Sequence, residues 1–401
     1  MPNTLLTVDM ITKEALRLAH EKASFIGTIN RQFDDSFTGE RKIGDTLRIR
    51  YPSEYTRRTG SRVMDVQDSV QVSTSLVVAT QDGVDLKFNS RERTLDLEEY
   101  SKLHLDPAIA TLISNIDSDV LQGCTKSTFN FAGTAGTSIS SLTAPGGGRT
   151  RLNENLAPKG DRYVHFNSDV MASIVSGVAG YFNPSNAISE QYREGLVART
   201  AMADYYENER VWRMANTTSV TLSTAKLNGY ISTLGQTSIN ITSMTVSAAG
   251  VGQKFTLANL NDVHPETKAS LGRLKQFTVL VATNVSTYTI SPAIYISGPR
   301  QNVTGVGTTT STNALTWLGS PNSTYALGLM YHRDAYTFAT AALPLMAAAE
   351  KCVRRTFDGI SLRVWQDADI RNDEMLTRID ILYGFTVIRP AWGCVIIGAS
   401  D

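Results

Sequence analysis

The tripeptide His332-Arg333-Asp334 has the residue types that open a phosphotransfer catalytic loop, in which the aspartate accepts a hydroxyl proton. That chemistry also needs an asparagine five positions after the aspartate to hold magnesium, and here that position is Ala339. Phe357-Asp358-Gly359 reverses the metal-binding Asp-Phe-Gly order, and no glycine-rich phosphate loop precedes it. Arg333 and Asp334 therefore read as local caps at the start of an apolar strand. Gly250-Val251-Gly252 has Phe255 where a dinucleotide fingerprint needs its third glycine, so it reads as a turn. No Walker A, His-Glu-x-x-His or Gly-x-Ser-x-Gly sequence occurs. His20, His104, His165, His264 and His332 are scattered, without a second His or a Cys at ligand spacing. Asp367, Asp369, Asp373 and Glu374 could hold a cation, but they lack the EF-hand pattern and read as a solvated turn between strands. The expectation is a protein that is not an enzyme, with no catalytic residue, cofactor or metal site.

Charge is patterned where catalytic motifs are missing. From residue 40 to 65 the chain carries Arg41, Lys42, Arg48, Arg50, Arg57, Arg58 and Arg62 against Glu40, Asp45, Glu54 and Asp65. From 92 to 119 it carries Glu92, Asp96, Glu98, Glu99, Asp106, Asp117 and Asp119 against Arg93 and Lys102. A basic segment is best placed over an acidic one, and arginine can grip a carboxylate with two parallel N–H bonds. The candidate inter-subunit contacts are Arg48, Arg50, Arg57, Arg58 and Arg62 with Glu98 and Glu99.

The whole chain bounds these readings. With 38 basic and 38 acidic residues the net charge is zero, which disfavours sequence-specific nucleic-acid binding. The charged fraction is 19%, below the roughly 25% of ordinary domains. Low charge fits a surface that is buried in an assembly. Three cysteines, Cys124, Cys352 and Cys394, are an odd number without a C-x-x-C pair and are expected to be reduced thiols. There is no signal-peptide pattern and no apolar run long enough to cross a membrane. At 401 residues more than one structural unit is expected.

The positioning elements follow from periodicity. Residues 8–25 read as a helix with a thin apolar stripe. Leu47, Ile49 and Tyr51 alternate with polar partners, as do Val70, Val72, Leu76 and Val78, so residues 40–90 read as a long β-arm. Asp82-Gly83 is a hairpin signal. A helix is expected over 96–122, with Asp106-Pro107 as a second start and Gly123 as its stop. Residues 131–150, with Gly146-Gly147-Gly148, read as a loop. A strand over 162–166, a helix capped by Ser168 running to Val178, and a helix over 189–204 follow. From 216 to 324 the composition shifts to Thr, Ser, Val and Asn in short alternating runs, which predicts a small β-barrel or sandwich. Alternation at Ile360, Leu362, Val364 and from Ile379 to Val387 then returns to the earlier character, so the β block reads as an insertion.

This order of elements resembles the tailed-phage/herpesvirus capsid fold. The residues that carry the resemblance are Tyr192-Arg193-Glu194-Gly195 with Ala203-Asp204-Tyr205-Tyr206, the stretch 252–277 with Ile290-Ser291-Pro292-Ala293-Ile294, and 331–340 leading to Ser361-Leu362-Arg363-Val364, Leu382-Tyr383-Gly384-Phe385 and Arg389-Pro390. They are similar to podophage coat proteins with an inserted β-barrel. The resemblance implies an α+β fold with an N-terminal arm (1–39), an extended β-arm (40–90), a peripheral domain with a spine helix (91–160), a discontinuous axial α/β domain (161–215 and 325–401) and an inserted all-β domain (216–324). It implies a subunit of hexamers and pentamers in an icosahedral head, assembled in the bacterial host cytoplasm. The implied partners are the chain itself, a scaffolding protein, a portal protein and packaged double-stranded DNA bound without sequence specificity, and no membrane. Covalent cross-linking through an arm lysine, as in some relatives of the wider fold, is not expected, because no lysine lies between Lys42 and Lys87. The alternative from another class is a tail or fibre adhesin with a carbohydrate-binding β insert.

Overall fold

The computed structural model describes residues 23–33, 46–61, 64, 66–68, 71–89, 106–178, 203–216, 226–228, 231, 234–242, 250–305, 313–346, 351–357, 360–369, 371–372 and 374–400. The chain divides into two compact units. The first comprises 1–49, 74–120 and 336–388. The second comprises 50–73, 121–335 and 389–401.

In the first unit a five-stranded sheet is ordered Tyr336–Ala341, Glu374–Val387, Ile360–Asp369, Lys351–Phe357, with Thr80–Asn89 also paired to Glu374–Val387. The alternating apolar residues Ile360, Leu362, Val364, Ile379, Ile381 and Tyr383 are all buried, but so are Ser361, Arg363 and Asp380 between them, so the polar face is covered here as well. Asp82-Gly83 is not a hairpin turn. It lies inside the strand Thr80–Asn89, opposite Asp380 and Ile381. Glycine is required there because a Cβ would come within 2.5 Å of Asp380 Oδ1 and 2.8 Å of the Ile379 carbonyl. The turn signal was a close-packing signal.

Helix α1, Asp106–Ser127, starts at the expected Asp106-Pro107. It does not stop at Gly123, since the buried face continues through Cys124, Thr125 and Thr128. Side-chain hydroxyls of Thr125 and Thr128 bond the carbonyls of Leu121 and Cys124, and burial outweighs the helix cost of one glycine, about 1 kcal/mol. The expected helix over 8–25 falls almost wholly outside the described residues, and residues 24–29 form bends and turns instead.

In the second unit a six-stranded sheet is ordered Phe131–Gly133, Gly393–Ser400, Thr324–His332, Arg162–Phe166, Asp204–Glu207, with Met214–Ala215 beside Thr324–His332. Helices α2, Thr143–Glu154, and α3, Ser168–Val178, pack on it through Leu152, Val164, Phe166, Met171, Ile174, Met330 and Ile396. The triple glycine expected in a loop is inside α2. A Cβ on Gly148 would meet Met330 Sδ at 3.0 Å and one on Gly147 would meet Ala132 Cβ at 3.3 Å, so small residues let this helix approach the sheet. Asn167 rather than Ser168 caps α3, its Oδ1 accepting from Val170 N at 3.2 Å. Asp204, expected at a helix end, begins a strand. The rest of the 189–204 helix lies outside the described residues.

The strands between 226 and 317 form a seven-stranded sheet. Its path runs Val303–Thr304, Lys254–Val263, Ser270–Ala282, Thr287–Ile294, Gln236–Thr242, Lys226–Leu227, and Leu315–Trp317 also pairs with Lys254–Val263. A bridge between Lys226 and Ala314, with Leu227 N donating to Asn313 O at 3.1 Å, joins the two ends into a closed barrel. It has its own core, built around Phe255, Phe277, Tyr288, Ile290, Leu315 and Trp317.

Candidate functional site

The arm departs from the first unit as a ribbon of only five residues on each side, Thr46–Arg50 and Ser73–Val77. Leu76 is buried and Leu47 and Ile49 are half-buried, packed with Phe33, Val78 and Ala339, while Arg48 and Arg50 are exposed on the opposite face. The base of the arm therefore buries one face on its own subunit. A rung at Tyr51 N to Val72 O, 2.8 Å, extends the ribbon, but the described residues beyond it are not strands. There the Gln67 carboxamide replaces ladder rungs. Its Oε1 accepts from Thr56 N at 2.8 Å and its Nε2 donates to Thr56 O at 2.7 Å. Nothing in the sequence pattern marks that clamp.

Arg57 and Arg58 are exposed on the arm. Around them stand apolar side chains turned to water: Tyr55 is 59% exposed, Met64 78% and Val66 78%. Arg62, Glu98 and Glu99 lie outside the described residues, as do Arg41, Lys42, Glu92 and Asp96. Of the acidic residues in α1, Asp119 is exposed but Asp117 is fully buried. Its Oδ1 accepts from Phe25 N at 2.9 Å and Ile26 N at 3.0 Å, and its Oδ2 from Ser24 Oγ at 3.2 Å. Asp117 therefore holds its own chain's N-terminal segment and does not belong to an acidic face for a neighbouring arm.

His332-Arg333-Asp334 leads from a strand into a single 3-10 turn, with Asp334 N donating to His332 Nδ1 at 3.2 Å. The side chain that caps this turn is His332, where the sequence pattern pointed to Arg333 and Asp334. Asp369 accepts from Arg371 N at 2.9 Å and from Asn372 Nδ2 at 2.8 Å in the turn between two strands. Among the described residues no group of His, Cys, Asp and Glu is disposed to hold a metal ion. Cys124, Cys352 and Cys394 are free thiols. No described helix is long and apolar enough to cross a membrane.

Sequence reasoning did not find the contacts between the barrel wall and the end of α1. Lys254, at the start of a barrel strand, is buried, and its ammonium donates to Thr125 O at 3.3 Å and to Thr128 O. Thr278, paired with Lys254 across the sheet, donates its hydroxyl to Lys126 O at 2.9 Å. Gln276 clamps the Phe131 peptide from both sides, at 2.8 and 3.0 Å. The carbonyls left open at a helix end are thus met by barrel side chains. Beside them Lys275 and Asp262 form a buried ion pair at 2.8 Å, in which burial lowers the lysine pKa against the pull of Asp262.

A family model described as "P22 coat protein - gene protein 5" matches residues 149–398. The chain belongs to the P22 coat protein family. It is a bacteriophage major coat protein, a structural component of the virion that forms its capsid shell. The match runs through the β-rich residues 216–324, and the adhesin alternative is not supported.

Among solved structures, one titled "Mycobacterium phage Che8" is similar at 10% identity and a TM-score of 0.49, over 93% of this chain and 90% of that one. The "Capsid structure of the Cyanophage P-SCSP1u" is similar at 11% identity and a TM-score of 0.44, over 92% and 88%. A virus-like particle from Pyrococcus furiosus is similar at 8% identity and a TM-score of 0.41, over 97% and 98%. No curated protein matches.

Proposed function

We propose that the subunit forms hexamers and pentamers by laying its arm on a neighbouring copy. Assembly takes place in the host cytoplasm with a scaffolding protein, one pentamer is replaced by a portal, and the shell encloses double-stranded DNA without reading its sequence. The role is structural and not catalytic. The observation that carries the arm contact is the surface itself: exposed Arg48, Arg50, Arg57 and Arg58 beside exposed Tyr55, Met64 and Val66. An apolar and cationic surface on a thin extended element gains little from its own subunit, and clustered exposed apolar groups mark contact sites. Each exposed ion pair contributes only about 0–1 kcal/mol, but the contact repeats around a closed shell.

The test reverses Arg57 and Arg58 to Glu and follows assembly yield and its salt dependence by sedimentation. Assembly is expected to fall, and to recover when Glu98 and Glu99 are reversed to Lys. Unchanged assembly in the first variant removes the charges from the contact. Loss without rescue keeps the arm and rejects Glu98 and Glu99 as its partners.

Residues 216–324 are proposed as an inserted domain able to fold alone, on the strength of the closed barrel and its separate core. The isolated fragment is expected to give dispersed amide signals and a cooperative melt. A random-coil spectrum rejects the boundaries.

A further inference from the structure

We infer that the crevice between the barrel wall, α2 and the strand Phe131–Gly133 is an oxyanion site, shaped for one phosphate-sized anion or one carboxylate side chain. The crevice has a volume of about 350 Å³ and is lined by Arg151, Arg273, Thr256, Thr316, Gln276 and Phe131, among others. Its two guanidiniums are the basis. Arg151 Nη1 and Arg273 Nε are buried and have no hydrogen-bond partner. An unmet charged donor costs more than a neutral one, so a ligand that meets it is favoured.

The local charge is also unbalanced. Arg151, Arg273, Lys254 and Lys275 are the cations of this region, and Glu154 and Asp262 are the carboxylates that face them. Glu154 is paired with Arg273, and Asp262 is paired with Lys275, lies 3.9 Å from Arg273 and acts on Arg151 from further away, so among the described residues Arg151 has no carboxylate of its own. The remaining titratable neighbour, the Cys394 thiol, is pushed up to about 12 by burial and so stays neutral near pH 7. Burial lowers the Arg273 pKa, and repulsion from Arg151 adds to it, so the two guanidiniums face each other across the crevice as like charges. The crevice mouth adds hydroxyls from Thr256 and Thr316, which can donate to the same anion.

The site is tested with inorganic phosphate on the unassembled full-length subunit, against sodium chloride at matched ionic strength. Phosphate about tenfold above its Kd should raise Tm by roughly 2–4 °C. Arg151→Gln should remove that rise. Thr316→Asp changes an exposed side chain and places a carboxylate in the mouth. It should also remove the rise while lifting the phosphate-free Tm, and it keeps the test decisive if Arg151→Gln fails to fold. The same titration on assembled shells, which alone rests on the assembly reading, separates the sources. A rise in both states supports a free anion. A rise in the subunit alone supports a carboxylate supplied by a neighbouring chain in the shell. No rise in the subunit, or a full rise in both variants, overturns the site, and neither result bears on whether the arm drives assembly.

Discussion

Asp117→Ala is expected to lower the unfolding free energy of the subunit by about 3–5 kcal/mol, because two buried backbone N–H groups and a hydroxyl lose their acceptor. The aspartate sits in the middle of α1 with no exposure and accepts two backbone N–H groups and one hydroxyl from residues 24–26. Hydrogen bonds to a charged group are worth about 1.5–3 kcal/mol each. Removing the acceptor also frees the segment that continues to Asn30, whose N–H and C=O bond Tyr336 O and Phe338 N at the edge of the five-stranded sheet. The loss is therefore in the first unit, and assembly yield should fall with it. Asp117→Asn keeps one carbonyl acceptor at nearly the same volume and should cost less than half as much. Urea midpoints for the two variants decide the matter. Equal, small losses in both would mean that the segment is held by packing of Phe25, Ile26 and Ile29 and not by the carboxylate.

Asp117 also shows where sequence reading stops. It was grouped with Asp119 by charge, and the two differ only in which way they turn from the helix. Periodicity separates faces when apolar residues mark them, and it did so for Ile109, Leu112, Ile113, Ile116 and Val120, all of which are buried. It cannot separate a buried carboxylate from an exposed one two positions away, because the difference is the arrival of a distant backbone segment. Glycines failed for a related reason. Gly83, Gly123 and the run Gly146-Gly147-Gly148 have the local signature of turns, yet they lie inside a strand and two helices. At Gly83, Gly147 and Gly148 the reason is close approach of another element. The strands Ile360–Asp369 and Glu374–Val387 were legible by their alternating apolar residues, but the burial of Arg363 and Asp380 between them was not, because it depends on an ion pair across two strands. In the barrel the alternating Ile239, Ile241, Tyr288 and Ile290 all point into its core. The arm was legible as basic and extended. Its Thr56–Gln67 clamp was not, because one glutamine among many polar residues carries no pattern.

Lys254→Met is the substitution whose effect should depend most on pH. The lysine is buried at the junction of the barrel and the end of α1, and burial lowers its pKa from 10.5 to about 7, with the Cys394 thiol as a small opposing influence. The charged groups nearest to that thiol, Arg151 and Arg273, remain in the variant and cancel in the comparison. Below about pH 7 the folded and unfolded chains both carry the proton, so the cost of burying the charge is present in full. Between pH 7 and 10.5 the unfolded chain keeps the proton and the folded chain releases it. The unfolded state then binds more protons, and stability rises with pH. The full span is worth on the order of 5 kcal/mol. Methionine fills the same space but cannot donate to Thr125 O or Thr128 O, a loss of about 1–3 kcal/mol. It also removes the buried charge. At pH 6.5 the cost of the buried charge exceeds the lost bonds, and the variant should be the more stable by on the order of 2–4 kcal/mol. By pH 9.5 the wild type regains on the order of 3 kcal/mol, and the two should lie close together. Urea unfolding of the unassembled subunit at both pH values measures the difference. A gap between wild type and variant that does not change with pH would mean that Lys254 reaches water in solution and that the helix end is capped without it.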